Sequence, residues 1–237
     1  VDDFGEWPGL DRKAMNRLEK IVVAKADALI AVSETLRTRL AGMGRESHSL
    51  THGVDVGFWR HGDSMPELDH LERPLFLFWG VIDRRMDTAF LERLAQDMTQ
   101  GTIVLAGPEQ NADPRLAKLP RIHRTGALRF EQLPGLAHAA SVLIMPYVDE
   151  PVTRAMQPLK LKEYLATGKP VVVRDLPANR EWADALDLVA RPEQFSSAVR
   201  ERSQSGLPAD QAAARGRLSS ESWDAKAAEF ARVAFAP

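Results

Sequence analysis

From residue 74 onward, short apolar runs alternate with stretches in which apolar side chains recur every three or four positions. The runs Leu75–Trp79, Thr102–Ala106, Val142–Met145 and 170–173 are almost continuously apolar, as strands covered on both faces must be. Shorter runs at 122–123 and 186–190 read the same way. Helical spacing predicts helices over 88–98, 130–140, 158–167 and 192–203, with two more over 208–218 and 221–235. Strands that alternate with helices imply an α/β fold, a doubly wound parallel sheet. Before residue 57 the pattern predicts a helix over 10–26, with Leu10, Ala14, Leu18, Ile21, Val22 and Ala26 at helical spacing. A strand over 28–32, a helix capped by Ser33 and a strand over 49–51 follow. Residues 57–73 are polar and carry Gly57, Gly62 and Pro66, which suits a linker.

The 237 residues are 44% hydrophobic, enough for a sizeable core, and the net charge of -2 gives no general attraction to nucleic acid. Cysteine is absent, which removes disulfides and thiolate metal sites. His, Asp and Glu do not cluster at metal-ligand spacing, so no metal site is expected. No apolar run reaches the roughly 18 residues of a membrane span. A cytoplasmic protein, free or working at the inner face of the membrane, is the expectation. The opening residues Val1, Asp2, Asp3 and Phe4 read like the interior of a fold, so the chain is expected to be the later part of a longer protein.

Ligands of doubly wound sheets bind beyond the carboxyl ends of the strands, which directs attention to 80–87, 107–111, 125–129, 147–157 and 174–179. The run from Pro158 to Val173 follows one of these loops. Pro158 suits a helix start, where free N–H groups and the helix dipole attract anions. Lys160 adds a cation in that first turn, opposing the dipole unless an anion lies close by. Glu163, a turn further on, can accept hydrogen bonds from two vicinal hydroxyls such as those of a ribose. On these residues alone, a capped surface helix with a mixed charged face explains the run equally well.

The same run resembles the signature of retaining, glycogen-synthase-like glycosyltransferases of the GT-B fold (family 4), roughly Pro-x-Lys-x-x-Glu-Tyr-x-Ala-x-Gly-x-Pro-Val-Val. Residues 26–34 resemble that family's Ala-Asp-x-apolar-x-x-x-Ser segment, and Gly53, Val54, Asp55 and Phe58 resemble its Gly-Val-Asp-x-x-x-Phe segment. Cell-surface polysaccharide transferases are the nearest subgroup in pattern. The resemblance implies a GT-B C-terminal Rossmann-like domain over 75–205, preceded by a remnant of the N-terminal, acceptor-side domain over 1–60 and a linker over 61–74. Helices over 206–237 would pack back toward the N-terminal part.

It also implies transfer of a hexose from a nucleoside diphosphate sugar to a glycan or lipid-linked acceptor, with retention and without a metal or other cofactor. Arg84, Arg85 and Lys160 would stabilise the departing diphosphate. Gly80, Gly107, Gly126, Leu128, Pro158, Leu159 and Glu163 would line the nucleotide-sugar site. Many members carry a second glutamate eight residues before the counterpart of Glu163, and here that position is Ala155. This departure leaves room for a non-catalytic nucleotide-sugar binding module or an epimerase of the same fold. Asp149, Glu150 and Thr153 are weaker candidates for the donor sugar, and His123 reads as structural. An apolar stripe of Trp223, Phe230 and Val233 raises the expectation of dimerisation, and peripheral membrane association is a further expectation.

Overall fold

A computed structural model describes residues 3, 5–7 and 9–235. The reading of residues 1, 2 and 4 as fold interior falls outside them. The chain begins with α1 (Arg12–Lys25), β1 (Ile30–Ala31), α2 (Glu34–Gly42), β2 (His48–Ser49) and α3 (Val56–Arg60). It continues through β3 (Leu75–Trp79), α4 (Thr88–Asp97), β4 (Thr102–Ala106), β5 (Ile122–Gly126), α5 (Leu133–Ala139) and β6 (Val142–Met145). The remaining elements are α6 (Pro151–Ala155), α7 (Leu159–Ala166), β7 (Val171–Arg174), β8 (Asp187–Val189), α8 (Pro192–Ser205), α9 (Ala209–Ala214) and α10 (Trp223–Ala234).

Six strands form one parallel sheet in the order β5-β4-β3-β6-β7-β8, and β1 and β2 form a separate parallel pair. Every residue of β3, β4 and β6 is buried, which is why these strands carry no polar alternation. Chain order reverses between β3 and β6, so the crevice beyond their carboxyl ends is the switch point of the sheet. With the right-handed crossovers expected of parallel strands, this order puts α4 and α7 on opposite faces. On the first face Phe90 of α4 meets Phe195 of α8 at 5.1 Å. On the other, α3 packs against α5 and α7.

Several local expectations change. The polar stretch after residue 56 is structured: α3 buries Trp59, and a short 3-10 turn at Pro66–Leu68 seats Leu68 in the core. Asp55 caps α3 by accepting from the Phe58 N–H at 3.0 Å, which the polar composition concealed. The strand expected over 28–32 shrinks to two residues. The helix expected over 130–140 opens with a 3-10 turn at Phe130–Gln132. Helix α1 buries Val23, whereas Leu18, Ile21 and Val22 are exposed. Of the stripe on α10, Val233 is buried and Trp223 and Phe230 are half exposed.

The N-terminal segment, α7 and α10 are joined at one buried ammonium. Lys162 on α7 is 1% exposed and donates to Thr51 Oγ1 at 2.8 Å, to the His52 carbonyl at 2.7 Å and to the Glu221 carboxylate. Burial pushes this ammonium below its usual range, and Glu221 opposes that shift. Glu221 also pairs with Lys226 at 2.9 Å, and its carbonyl accepts from the Val54 N–H at 2.8 Å. Trp223 lies against Gly53 so closely that a side chain at Gly53 would overlap the indole. Replacing Lys162 with Ala strands the buried oxygens and is expected to cost about 3 kcal/mol in urea unfolding. The double variant with Glu221→Ala should lose much less than the sum of the two single changes. Additive losses would show that the pair is not coupled.

Candidate nucleotide-sugar site

The crevice beyond β3 and β6 is assembled from three backbone segments. Residues after β3 continue toward β4, with the Ile82 N–H donating to the Pro108 carbonyl at 2.9 Å and the Gln110 N–H to the Ile82 carbonyl at 2.9 Å. The same loop then turns to the segment after β6: the Asp87 N–H donates to the Pro146 carbonyl at 2.7 Å and the Val148 N–H to the Arg85 carbonyl at 2.8 Å. Two glycines make the tight approach feasible. Gly80 (φ +135°) and Gly107 (φ +144°) adopt backbone that side chains avoid; a methyl group on Gly107 would overlap the Gly80 carbonyl, and one on Gly80 would overlap the Lys160 ammonium.

Lys160 is held over this spot. Its Nζ lies 2.6 Å from the Tyr147 hydroxyl, 4.5 Å from the centre of the Phe78 ring and 5.2 Å from that of Tyr147. None of these partners carries a formal negative charge. Two aromatic faces and a phenol oxygen partly stabilise the ammonium, which makes no direct ion pair among the described residues.

Glu163 is 9% exposed, and its Oε2 accepts from the Trp79 indole N–H at 3.4 Å. Burial pushes its carboxyl above the usual range, against the opposing pull of the Trp79 hydrogen bond and the Lys160 charge. The neighbouring Tyr164 locks the helix to the strand end: its hydroxyl accepts from the Trp79 N–H at 3.1 Å, and Trp79 stacks on Trp59 at 5.2 Å. Trp59 and Trp79 are thus packing residues. At the other end of α7, the buried Arg215 donates to the carbonyls of Lys169 at 2.7 Å and Leu165 at 3.4 Å. Burial lowers this guanidinium to about 10.

The other expected residues are distributed as follows. Pro158 is buried and stands at the N-cap of α7, one place earlier than a first-turn position, and Leu159 is exposed at the helix start. Gly126 (φ +69°) ends β5 with open space around its Cα, and Leu128 is half-buried against the core. The two arginines differ. Arg85 is tied to Asp83, with Nη2 at 2.7 Å, and lies over the Trp7 ring at 4.7 Å. Arg84 is exposed and has no ion-pair partner among the described residues.

Of the weaker candidates, Thr153 is buried and turns its hydroxyl inward, donating to the Val148 carbonyl at 2.6 Å. Asp149 pairs with Arg154 at 2.5 Å. His123 packs against His70 at 5.7 Å, away from the switch point on β5, and burial lowers its pKa. Among the described residues no group of three or more His, Asp or Glu is placed to hold a metal ion, and no helix is long and apolar enough to cross a membrane.

A family model described as glycosyl transferases group 1 matches residues 73–204. The chain belongs to this family. It is 29% identical over 178 residues to TuaH of Bacillus subtilis strain 168, named as a teichuronic acid biosynthesis glycosyltransferase. That match covers 70% of this chain and 45% of TuaH, so the chain spans less than half of that relative's length. Among solved structures, Anabaena Alr3699/HepE in complex with UDP and glucose superposes with a TM-score of 0.77 at 17% identity, over 100% of this chain and 70% of HepE. Sucrose-phosphate synthase from Thermosynechococcus elongatus gives a TM-score of 0.70 at 20% identity, over 92% of this chain and 60% of the synthase. These likenesses establish the GT-B Rossmann-like fold expected from the 158–173 run.

The raised carboxyl of Glu163 has a consequence for stability. The folded chain retains a proton that the unfolded chain releases above about 4.5, so stability falls as pH rises from there through the folded-state value. Glu163→Gln removes this loss. Its melting temperature should exceed the parent's at pH 7, and the difference should close as pH falls below the unfolded value. A variant less stable at pH 7 would show that the ionised carboxylate is well solvated in the fold.

Proposed function

We propose that this chain forms the donor side of a sugar transfer, holding a nucleoside diphosphate hexose at the β3/β6 crevice. The observation that carries this reading is an ammonium without a direct ion pair, Lys160, set one helical turn from a buried carboxyl, Glu163, over two close-packed glycine turns. The ammonium and the first turn of α7 suit a diphosphate, and the carboxyl suits a ribose diol. In this reading Gly126, the last residue of β5, and Leu128, two residues later, would border the base.

In the proposed reaction the bond from sugar C1 to the diphosphate oxygen breaks and a bond from C1 to an acceptor hydroxyl oxygen forms. The nucleoside diphosphate departs, and the hydroxyl proton leaves with it. Retention, as the resemblance implies, requires the acceptor to approach on the face that the diphosphate vacates. Negative charge grows on the leaving diphosphate, so cations fixed beforehand stabilise the transition state more than the ground state. Lys160 and Arg84 fill that role without a metal. Arg85, bound to Asp83, shapes the loop that carries Arg84. The acceptor is proposed to be a glycan, in keeping with the polysaccharide named for TuaH.

A second reading, nucleotide-sugar binding without turnover, is favoured by Ala155 at the place where many relatives carry a glutamate. Incubation with UDP-glucose and oligosaccharide acceptors, followed by UDP release, separates the two. No UDP release above the protein-free control, with or without any acceptor, would leave binding alone.

Calorimetry with UDP, GDP, TDP and ADP tests the site itself. Glu163→Ala should weaken the best ligand by about 1–3 kcal/mol, the range for a hydrogen bond to a charged group. Lys160→Ala should weaken the diphosphate at least tenfold while leaving the corresponding nucleoside unchanged. Equal losses for both would remove Lys160 from the phosphate, and no binding of any of the four would defeat the donor-site reading.

A further inference from the structure

Tyr147 stands two residues beyond β6, where three parts of the crevice meet, and its side chain is buried. Its backbone is pinned to the loop after β3. The residue forms an antiparallel bridge with Met86, flanked by the bonds from the Asp87 N–H to the Pro146 carbonyl and from the Val148 N–H to the Arg85 carbonyl. Its ring meets the Phe78 ring of β3 edge-on, with centroids 6.0 Å apart and planes at 84°. Held on these sides, the phenol places its hydroxyl 2.6 Å from the Lys160 ammonium of α7.

Among the described residues that hydroxyl is the one hydrogen-bond acceptor of Lys160, and it makes no other hydrogen bond. A lysine head on its four-carbon stem samples many positions unless something holds it. Here one N–H goes to the phenol oxygen, the ammonium lies 4.5 Å from the centre of the Phe78 ring, and a methyl group on Gly80 would overlap it. The other two N–H groups are left for a ligand. The chemistry of the acceptor matters. A carboxylate at this place would hold the ammonium more firmly but would neutralise it, whereas a neutral phenol oxygen fixes the position and keeps the charge. A phenylalanine would keep the ring contacts and lose the tether.

We propose that Tyr147 is a positioning residue, whose hydroxyl tethers the Lys160 ammonium beside Gly80 so that its charge is in place before a diphosphate arrives. The inference rests on the donor-site reading for the identity of that ligand. A cation fixed beforehand loses less freedom on binding and needs no rearrangement as charge grows on the leaving group. Because the Tyr147 backbone is bridged to Met86, the tether also fixes Lys160 relative to the loop that carries Arg84.

Tyr147→Phe removes only the oxygen, so the variant should melt close to the parent. Calorimetry on the whole chain with UDP, GDP, TDP and ADP, and with their nucleosides, reads the effect. The variant should bind the tightest of the four diphosphates roughly fivefold more weakly and the matching nucleoside equally well. In the Lys160→Ala background the same change should have no effect, because Tyr147 acts through that ammonium. An affinity unchanged by Tyr147→Phe overturns the proposal. So does an equal loss in both backgrounds, which would mean that the phenol touches the ligand itself. Acetic anhydride labelling read by mass spectrometry tests the tether without any nucleotide. Freed of its acceptor, Lys160 should acetylate about threefold faster in Tyr147→Phe than in the parent, with the other lysines unchanged. An equal rate overturns the tether. A faster rate with no binding of any of the four diphosphates would keep the tether and defeat the donor-site reading alone.

Discussion

An ammonium group buried without partners would destabilise any fold, and Lys162 meets this constraint with oxygens drawn from distant parts of the chain. Thr51 and His52 precede it by more than a hundred residues, and Glu221 follows it by 59. Because those acceptors must all reach one nitrogen, the N-terminal segment and the start of α10 are pinned to the same turn of α7. The arrangement fixes the rotation of the helix about its axis. With Lys162 facing the junction, Lys160 and Glu163 are brought toward the strand ends at the switch point, and Tyr164 is brought to the Trp79 backbone. Arg215 completes the restraint by taking up carbonyls at the far end of the helix.

Much of this frame was legible from the chain. Strands β3 and β6 are apolar throughout, and β4 and β7 depart from that only at an end residue, Thr102 and Arg174, because both faces are covered. The run after Pro158 carried both the element and its candidate chemistry, and Lys160, Glu163, Gly80 and Gly107 do come together. What was not legible depends on partners remote in sequence. Lys162 reads as one more charge on a mixed helix, although Leu165 and Ala166, at i+3 and i+4, are both buried and mark its face as an interior one. Arg84 and Arg85 look alike in sequence, and the local turn that folds Arg85 back onto Asp83, two residues earlier, separates the paired one from the exposed one. Helix α6 is five residues long and starts at a proline, too short for any period to show.

Ala155 joins these two levels. In the resemblance it is a missing acid, a loss from the motif. In the structure it is 1% exposed and packs with Ala31 of β1 and Leu36 of α2. Its carbonyl accepts from the Ser33 hydroxyl at 2.7 Å, and the same hydroxyl accepts from the Leu36 N–H to cap α2. A glutamate placed here would put a charge into a dry contact between the two parts of the chain. The small residue is therefore part of how α6 seats against the N-terminal segment. That seating also buries the Gln157 side chain, two residues later, whose amide makes no hydrogen bond.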